Sequence, residues 1–124
     1  MIGKLCAIVI DCPDPSALAG FYEELLSLRR SDDDPDFVVL GATADSPVVA
    51  FQKVSDFRPP RWPDPARPPQ AHVDVLVADL DVAEAQVLAL GATLLDGSDK
   101  PIGYRVYADP VGHPFCLVTP LDRA

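Results

Sequence analysis

Two stretches of this chain obey the same rule, and the repetition limits what it can fold into. In Gln70-Ala-His-Val-Asp-Val-Leu-Val-Ala-Asp-Leu-Asp-Val-Ala-Glu84, the apolar Val73, Val75 and Val77 alternate with His72, Asp74 and Leu76. Alternation with period two marks a strand with one apolar face and one face of different chemistry. Asp81, followed three residues later by Glu84, reads as an N-cap with its capping-box partner, so a helix is expected to start there. Upstream, Ala7-Ile-Val-Ile-Asp-Cys-Pro-Asp14 repeats the pattern, and Pro15 takes the first helical position, where a missing N–H is tolerated. His72 falls at the place of Ala7, and Asp79 at the place of Asp14. The chain is therefore read as two copies of one strand, helix and three-strand module, spanning 1–54 and 70–124 and joined by a connector at 55–69.

Within module one, Lys4 to Cys12 is the first strand, with Cys6, Ile8 and Ile10 facing the helix and Leu5, Ala7, Val9 and Asp11 facing away. Cys6 and Cys12 share that helix-facing parity and are expected in the core as small apolar residues. Leu18, Phe21, Tyr22, Leu25 and Leu28 repeat at three- and four-residue intervals and form the buried stripe of the first helix. A short strand is expected at Arg29 to Ser31, then a solvated bend at Asp32, Asp33, Asp34 and Asp36. Strands follow at Phe37 to Leu40 and Pro47 to Val54. In the latter, Gln52 shares a face with Val48 and Ala50, away from the helix, which is also the address of His72 in its own module.

Module two places a helix at about Val82 to Leu90, packing through Ala83, Val87 and Leu90 and ended by Gly91. Strands at Thr93 to Leu95, Tyr104 to Ala108 and Phe115 to Thr119 complete it. The last two are joined by Asp109-Pro-Val-Gly112, whose proline and glycine suit a tight turn, and His113 is expected as a solvated turn residue. Six of the fifteen connector residues are proline, which excludes a helix interior or a paired central strand. The connector is expected to be largely extended, and Phe57 and Trp62 to hold it against the modules, because free in water they would expose large apolar side chains.

Composition narrows the function. A formal charge of -9 without a basic run excludes a general nucleic-acid grip, and no apolar run is long enough to span a bilayer. The odd number of cysteines, with no CxxC pair, argues against a disulfide scaffold. No basic leader or small-residue cleavage pattern precedes the first strand, so a cytoplasmic protein is expected.

The duplicated order of elements, Asp14-Pro15 followed by Phe21-Tyr22, the strand holding His72, and the closing Asp109-Pro-Val-Gly112 together resemble the glyoxalase, bleomycin-resistance and extradiol-dioxygenase superfamily, the vicinal oxygen chelate proteins. With Trp62 in a proline-rich connector and Val106-Tyr-Ala-Asp-Pro-Val-Gly-His-Pro-Phe-Cys-Leu-Val118, the chain is most similar to the glyoxalase-like branch. The resemblance covers nearly the whole chain. It implies an α+β fold of two βαβββ modules whose curved mixed sheets form a cleft, and it implies four metal-ligand places. These fall on Ala7, Gln52, His72 and Cys116, with Gln52 matched to Cys116 across the repeat.

Ala7 has no donor and Cys116 would have to ionise, so no metal and no other cofactor is expected in the cleft. Zinc on Gln52, His72, Cys116 and water is the metal-bound alternative. The resemblance then implies a protein that binds a small organic molecule, either a lyase or isomerase or an antibiotic-sequestering binder. His72 is the candidate acid, base or ligand contact, possible also as a histidine simply tied to Asp74. Gln52, Cys116, Val9, Ala50, Leu76, Val118 and Trp62 are the other candidate ligand contacts, and a homodimer is expected from the unpaired sheet edges.

Overall fold

Alternating strands and capped helices produce the duplicated architecture in the computed structural model, which describes residues 5–41, 47–61, 64–67, 71–97 and 103–119. The chain divides into two compact units, Met1–Arg58 and Pro59–Ala124.

The first unit contains β1 (Ala7–Cys12), α1 (Pro15–Leu26), β2 (Arg30–Asp34), β3 (Phe37–Leu40) and β4 (Val48–Lys53). Its sheet order is β1-β4-β3-β2, with β1 parallel to β4 and the other neighbours antiparallel. Asp14 caps α1 by accepting the Ala17 N–H at 3.3 Å, directly before Pro15. Leu18, Phe21 and Tyr22 are buried on the helix face that meets β3 and β4. There the Tyr22 ring lies 5.3 Å from that of Phe51. Arg30 ties β2 to the helix, its Nη2 reaching Glu23 at 2.8 Å and its Nη1 the Ser16 hydroxyl at 2.8 Å.

Two expectations for this unit are corrected. Asp32, Asp33 and Asp34 lie in strand β2, not in a bend. β2 is an edge strand, so it can pair its backbone with β3 while its carboxylates stay in water. The bend is confined to Pro35 and Asp36, where Asp34 accepts the Asp36 N–H at 2.8 Å. Cys6 is exposed, whereas Cys12 is buried. Parity assigned both to the helix side, but α1 packs chiefly on β3 and β4 and leaves the start of the edge strand β1 uncovered.

The second unit contains β5 (Val73–Leu76), α2 (Leu80–Ala89), β6 (Thr93–Asp96), β7 (Tyr104–Ala108) and β8 (Pro114–Val118), in sheet order β5-β8-β7-β6. The cap of α2 is Asp79, which accepts the Val82 N–H at 3.0 Å, and not Asp81. Both aspartates satisfy the local rule, but only the earlier start brings Leu80 onto the buried face with Ala83 and Val87, while Leu90 is exposed beyond the helix. Asp81 pairs instead with Arg105 of β7, at 2.7 Å.

Beneath α2 lie Phe115, Leu117 and Tyr107, with the Tyr107 and Phe115 rings stacked 5.5 Å apart. Tyr107 donates its hydroxyl to Glu84 at 2.8 Å. Burial, and then that acceptor, push the hydroxyl above its usual 10.0. The β7–β8 turn is closed by Asp109, whose carboxylate accepts the Val111 and His113 N–H groups at 2.9 and 3.0 Å. Gly112 there has φ 104° and would set a Cβ 2.9 Å from Pro59 Cβ, so glycine is required twice over.

The connector is less extended than its prolines imply. Arg61 donates its N–H to the Arg67 carbonyl at 2.8 Å, folding the arm back around Asp64, which accepts the Ala66 N–H at 2.8 Å. Proline forbids ladder pairing but favours turns, and an aspartate beside it supplies the acceptor. Phe57 is half-buried, whereas Trp62 lies outside the described residues. Among the described residues no helix is long and apolar enough to cross a membrane.

Candidate functional site

The face of the second sheet turned away from α2 gathers most of the chemistry. Val73 and Val75 of β5 alternate with Asp74 and Leu76, and the pairings Asp74 with Cys116, Leu76 with Val118, Val106 with Cys116 and Tyr104 with Val118 carry that parity across β8 and β7. One face therefore holds Asp74, Leu76, Cys116, Val118, Val106 and Tyr104. His72, just before β5, joins them through its contact with Asp74. Val106, Cys116 and Val118 form a buried apolar floor with Leu95 packed against it.

On that floor three donor groups converge. His72 Nε2 lies 3.1 Å from Asp74 Oδ1. The Cys116 sulfur completes a group whose donor atoms all lie within 4.8 Å of one another. The His72 and Asp74 side chains keep 52 % and 33 % of their surface exposed, while Cys116 is buried at 8 %. An imidazole held by a carboxylate can accept or deliver a proton at its free nitrogen, and the three together can ligate a cation. Leu76 is 63 % exposed beside them, and Tyr104 is exposed on β7.

Module one places Val9, Ala50 and Gln52 on the corresponding face of its own sheet. Val9 pairs with Ala50, and Asp11 with Gln52. Val9 is exposed, but Ala50 is fully buried and presents no surface to a ligand. Gln52 is exposed in an open depression of about 590 Å³ lined by Asp36, Phe37, Gln52, Lys53 and Ser55. Trp62 lies outside the described residues.

The ladders refine the repeat. With Ala7 matched to His72 and Val9 to Asp74, the counterpart of Cys116 is Ala50, the partner of Val9, and Gln52 falls one pleat farther along. The triangle His72, Asp74 and Cys116 thus corresponds to Ala7, Val9 and Ala50, none of which carries a donor. Four ligand places are not filled, since Ala7 offers nothing. The donor chemistry of module two instead includes Asp74, which sequence reasoning used only as a hydrogen-bonding neighbour of His72. The signal for it was present: a His-x-Asp spacing on one strand puts both side chains on the same face.

Residues 7–118 match the family described as Glyoxalase-like domain. No curated protein matches the chain. Similar solved structures include a glyoxalase/bleomycin resistance protein/dioxygenase family enzyme from Burkholderia phytofirmans PsJN, 17 % identical with a TM-score of 0.73, covering 94 % of this chain and 98 % of that one. A glyoxalase-related enzyme from Fulvimarina pelagi is 20 % identical with a TM-score of 0.70, covering 95 % and 88 %. TnmS3, an antibiotic binding protein from Streptomyces sp. CB03234, is 17 % identical with a TM-score of 0.62, covering 96 % and 97 %.

Proposed function

The chain belongs to the glyoxalase-like domain family, and from that membership we propose that it binds a small organic molecule on the helix-free face of module two, against His72, Leu76 and Cys116. The observation that carries this reading is the combination on one face of exposed Leu76 and Tyr104 with the His72–Asp74 pair above an apolar floor. Apolar area supplies affinity in such sites, and a few polar atoms fix orientation. Antibiotic sequestration, in the manner of the antibiotic binding protein TnmS3, is one form this binding would take. Gln52 is the module-one group that the family pattern assigns to ligand contact.

A lyase or isomerase is the second reading, and the His72–Asp74 contact at 3.1 Å favours it, because the carboxylate orients the imidazole as a general base. We further propose a cytoplasmic homodimer. Cys6, Cys12 and Cys116 form no disulfide, which suits a reducing compartment, and light scattering at micromolar concentration is expected to give twice the chain mass, a strictly monomeric mass refuting the dimer.

The test of binding is a thermal-shift and calorimetric screen of bleomycin, polycyclic antibiotics and small hydroxyketones against wild type, His72→Ala and Leu76→Ser. A compound that stabilises wild type is expected to bind each variant at least about tenfold more weakly, some 1.4 kcal/mol. Equal binding to all three would remove this face as the site. Mass spectrometry of the incubated compound separates the two readings: a product lost in His72→Ala supports the enzyme, and recovery of unchanged ligand supports the binder.

A further inference from the structure

We infer that His72, Asp74 and Cys116 form a three-donor site in module two for a thiophilic divalent cation of the zinc type, on the face proposed for ligand docking and sharing His72 and Cys116 with it. The backbone builds the triangle. His72 and Asp74 lie on the same side of the chain, and Cys116 is the partner of Asp74 across the parallel β5–β8 ladder, so the three donor atoms meet within 4.8 Å of one another.

The distances suit a small cation. Tetrahedral zinc with bonds of about 2.0–2.3 Å sets its ligand atoms roughly 3.3–3.7 Å apart. The His72–Asp74 separation is already 3.1 Å, and no pair in the group exceeds 4.8 Å. Side-chain torsions of His72 and Asp74, both partly exposed, cover the remaining difference of about 1 Å without moving the sheet.

Charge and softness then select the metal. A thiolate and a carboxylate cancel a double positive charge, so the filled site is neutral and can rest against Val106 and Val118. Hard cations such as magnesium and calcium take oxygen donors and gain little from sulfur or imidazole, whereas zinc accepts all three. Three protein ligands leave one position open, the arrangement of zinc sites that bind water or substrate. The side carrying His72 and Asp74 is the exposed one and gives entry. This donor set differs from the four places distributed over both modules: it replaces the missing Ala7 place with Asp74, and it does not use Gln52.

Cobalt(II) reports such a site directly, because a thiolate ligand gives a near-ultraviolet charge-transfer band and tetrahedral geometry an intense visible one. Protein stripped with chelator is expected to bind one equivalent of cobalt with both bands, and one equivalent of zinc is expected to displace it. Cys116→Ser abolishes the charge-transfer band. His72→Ala and Asp74→Asn each weaken zinc by more than the roughly 10–100-fold seen for changes behind the ligands. Gln52→Ala leaves zinc affinity within about twofold, below the roughly 10–100-fold cost of changes even behind the ligands, because Gln52 is not one of the three donors.

A wild-type titration without the thiolate band overturns the site, as does zinc binding that survives both Cys116→Ser and Asp74→Asn. Loss of zinc in Gln52→Ala overturns the assignment to module two. Cys116 is a core residue, so unfolding curves of the metal-free variants accompany the titrations. Should Cys116→Ser fail to fold, the wild-type spectrum and Asp74→Asn, on the edge strand β5, decide the question. Organic-ligand binding measured in chelator separates failure of this site from failure of the docking face.

Discussion

Phe51→Ala is expected to lower the unfolding free energy by about 3–5 kcal/mol, a large part of the roughly 5–15 kcal/mol that holds a domain folded. Phe51 is fully buried in β4, a strand bonded on both sides, by β1 and β3. Its ring faces Tyr22 of α1 at 5.3 Å, and its ladder partner on β3 is Val38, also fully buried. A strand anchored on both edges cannot close on the space that the ring leaves, so the loss combines transfer free energy with a persistent cavity. Ile8, on the same face by parity but exposed on the edge strand β1, provides the contrast: Ile8→Ala is expected to cost only about 1 kcal/mol or less, since little apolar area leaves water there. Urea unfolding followed by circular dichroism measures both. Equal losses for the two variants would show that α1 does not seal the centre of this sheet as described.

How much of this was legible beforehand depended on the range of the physics. Strand parity is local, so the alternation of Val73, Val75 and Val77 with Asp74 and Leu76 was readable, as was the stripe of Leu18, Phe21 and Tyr22. The duplication and its fold followed, because a repeated local rule needs no tertiary knowledge. Choices between equivalent local signals were not readable. Asp79 and Asp81 both make good caps, and only the packing of Leu80 on the sheet separates them, although the repeat itself had pointed to Asp79 through Asp14. Cys6 failed for a related reason: parity gives the face, but the position of the helix over that face decides burial. Nor could one strand reveal that Cys116 stands across from Asp74, since ladder register between β5 and β8 is a long-range property. That register, and not composition, turns three dispersed residues into a candidate site.

Glu84→Ala is expected to cost about 2–4 kcal/mol, far more than most substitutions on a helix surface. Glu84 points from α2 onto β7, where it accepts the Tyr107 hydroxyl at 2.8 Å and faces Arg105 Nη1 at 3.3 Å. Tyr107 is fully buried and Arg105 nearly so. Removing the carboxylate leaves a buried hydroxyl without this acceptor, a loss of about 1–3 kcal/mol. It also takes one carboxylate from Arg105, which keeps the Tyr107 hydroxyl and Asp81, whose side chain is 87 % exposed and holds its charge in water; a surface partner of the latter kind contributes only about 0–1 kcal/mol. The two effects share one network, so they are not independent. Adding Tyr107→Phe to Glu84→Ala removes the stranded hydroxyl, and the double variant is expected to be more stable than the sum of the two single losses by about 1–2 kcal/mol. Glu84→Gln keeps an acceptor for Tyr107 while discarding the charge, and its loss falls between wild type and alanine. A full cycle of urea denaturation curves gives all of these terms. Additive losses for Glu84→Ala and Tyr107→Phe would mean that the hydroxyl and carboxylate do not act together, and the clamp between α2 and β7 would then rest on the pairs of Arg105 with Asp81 and Glu84.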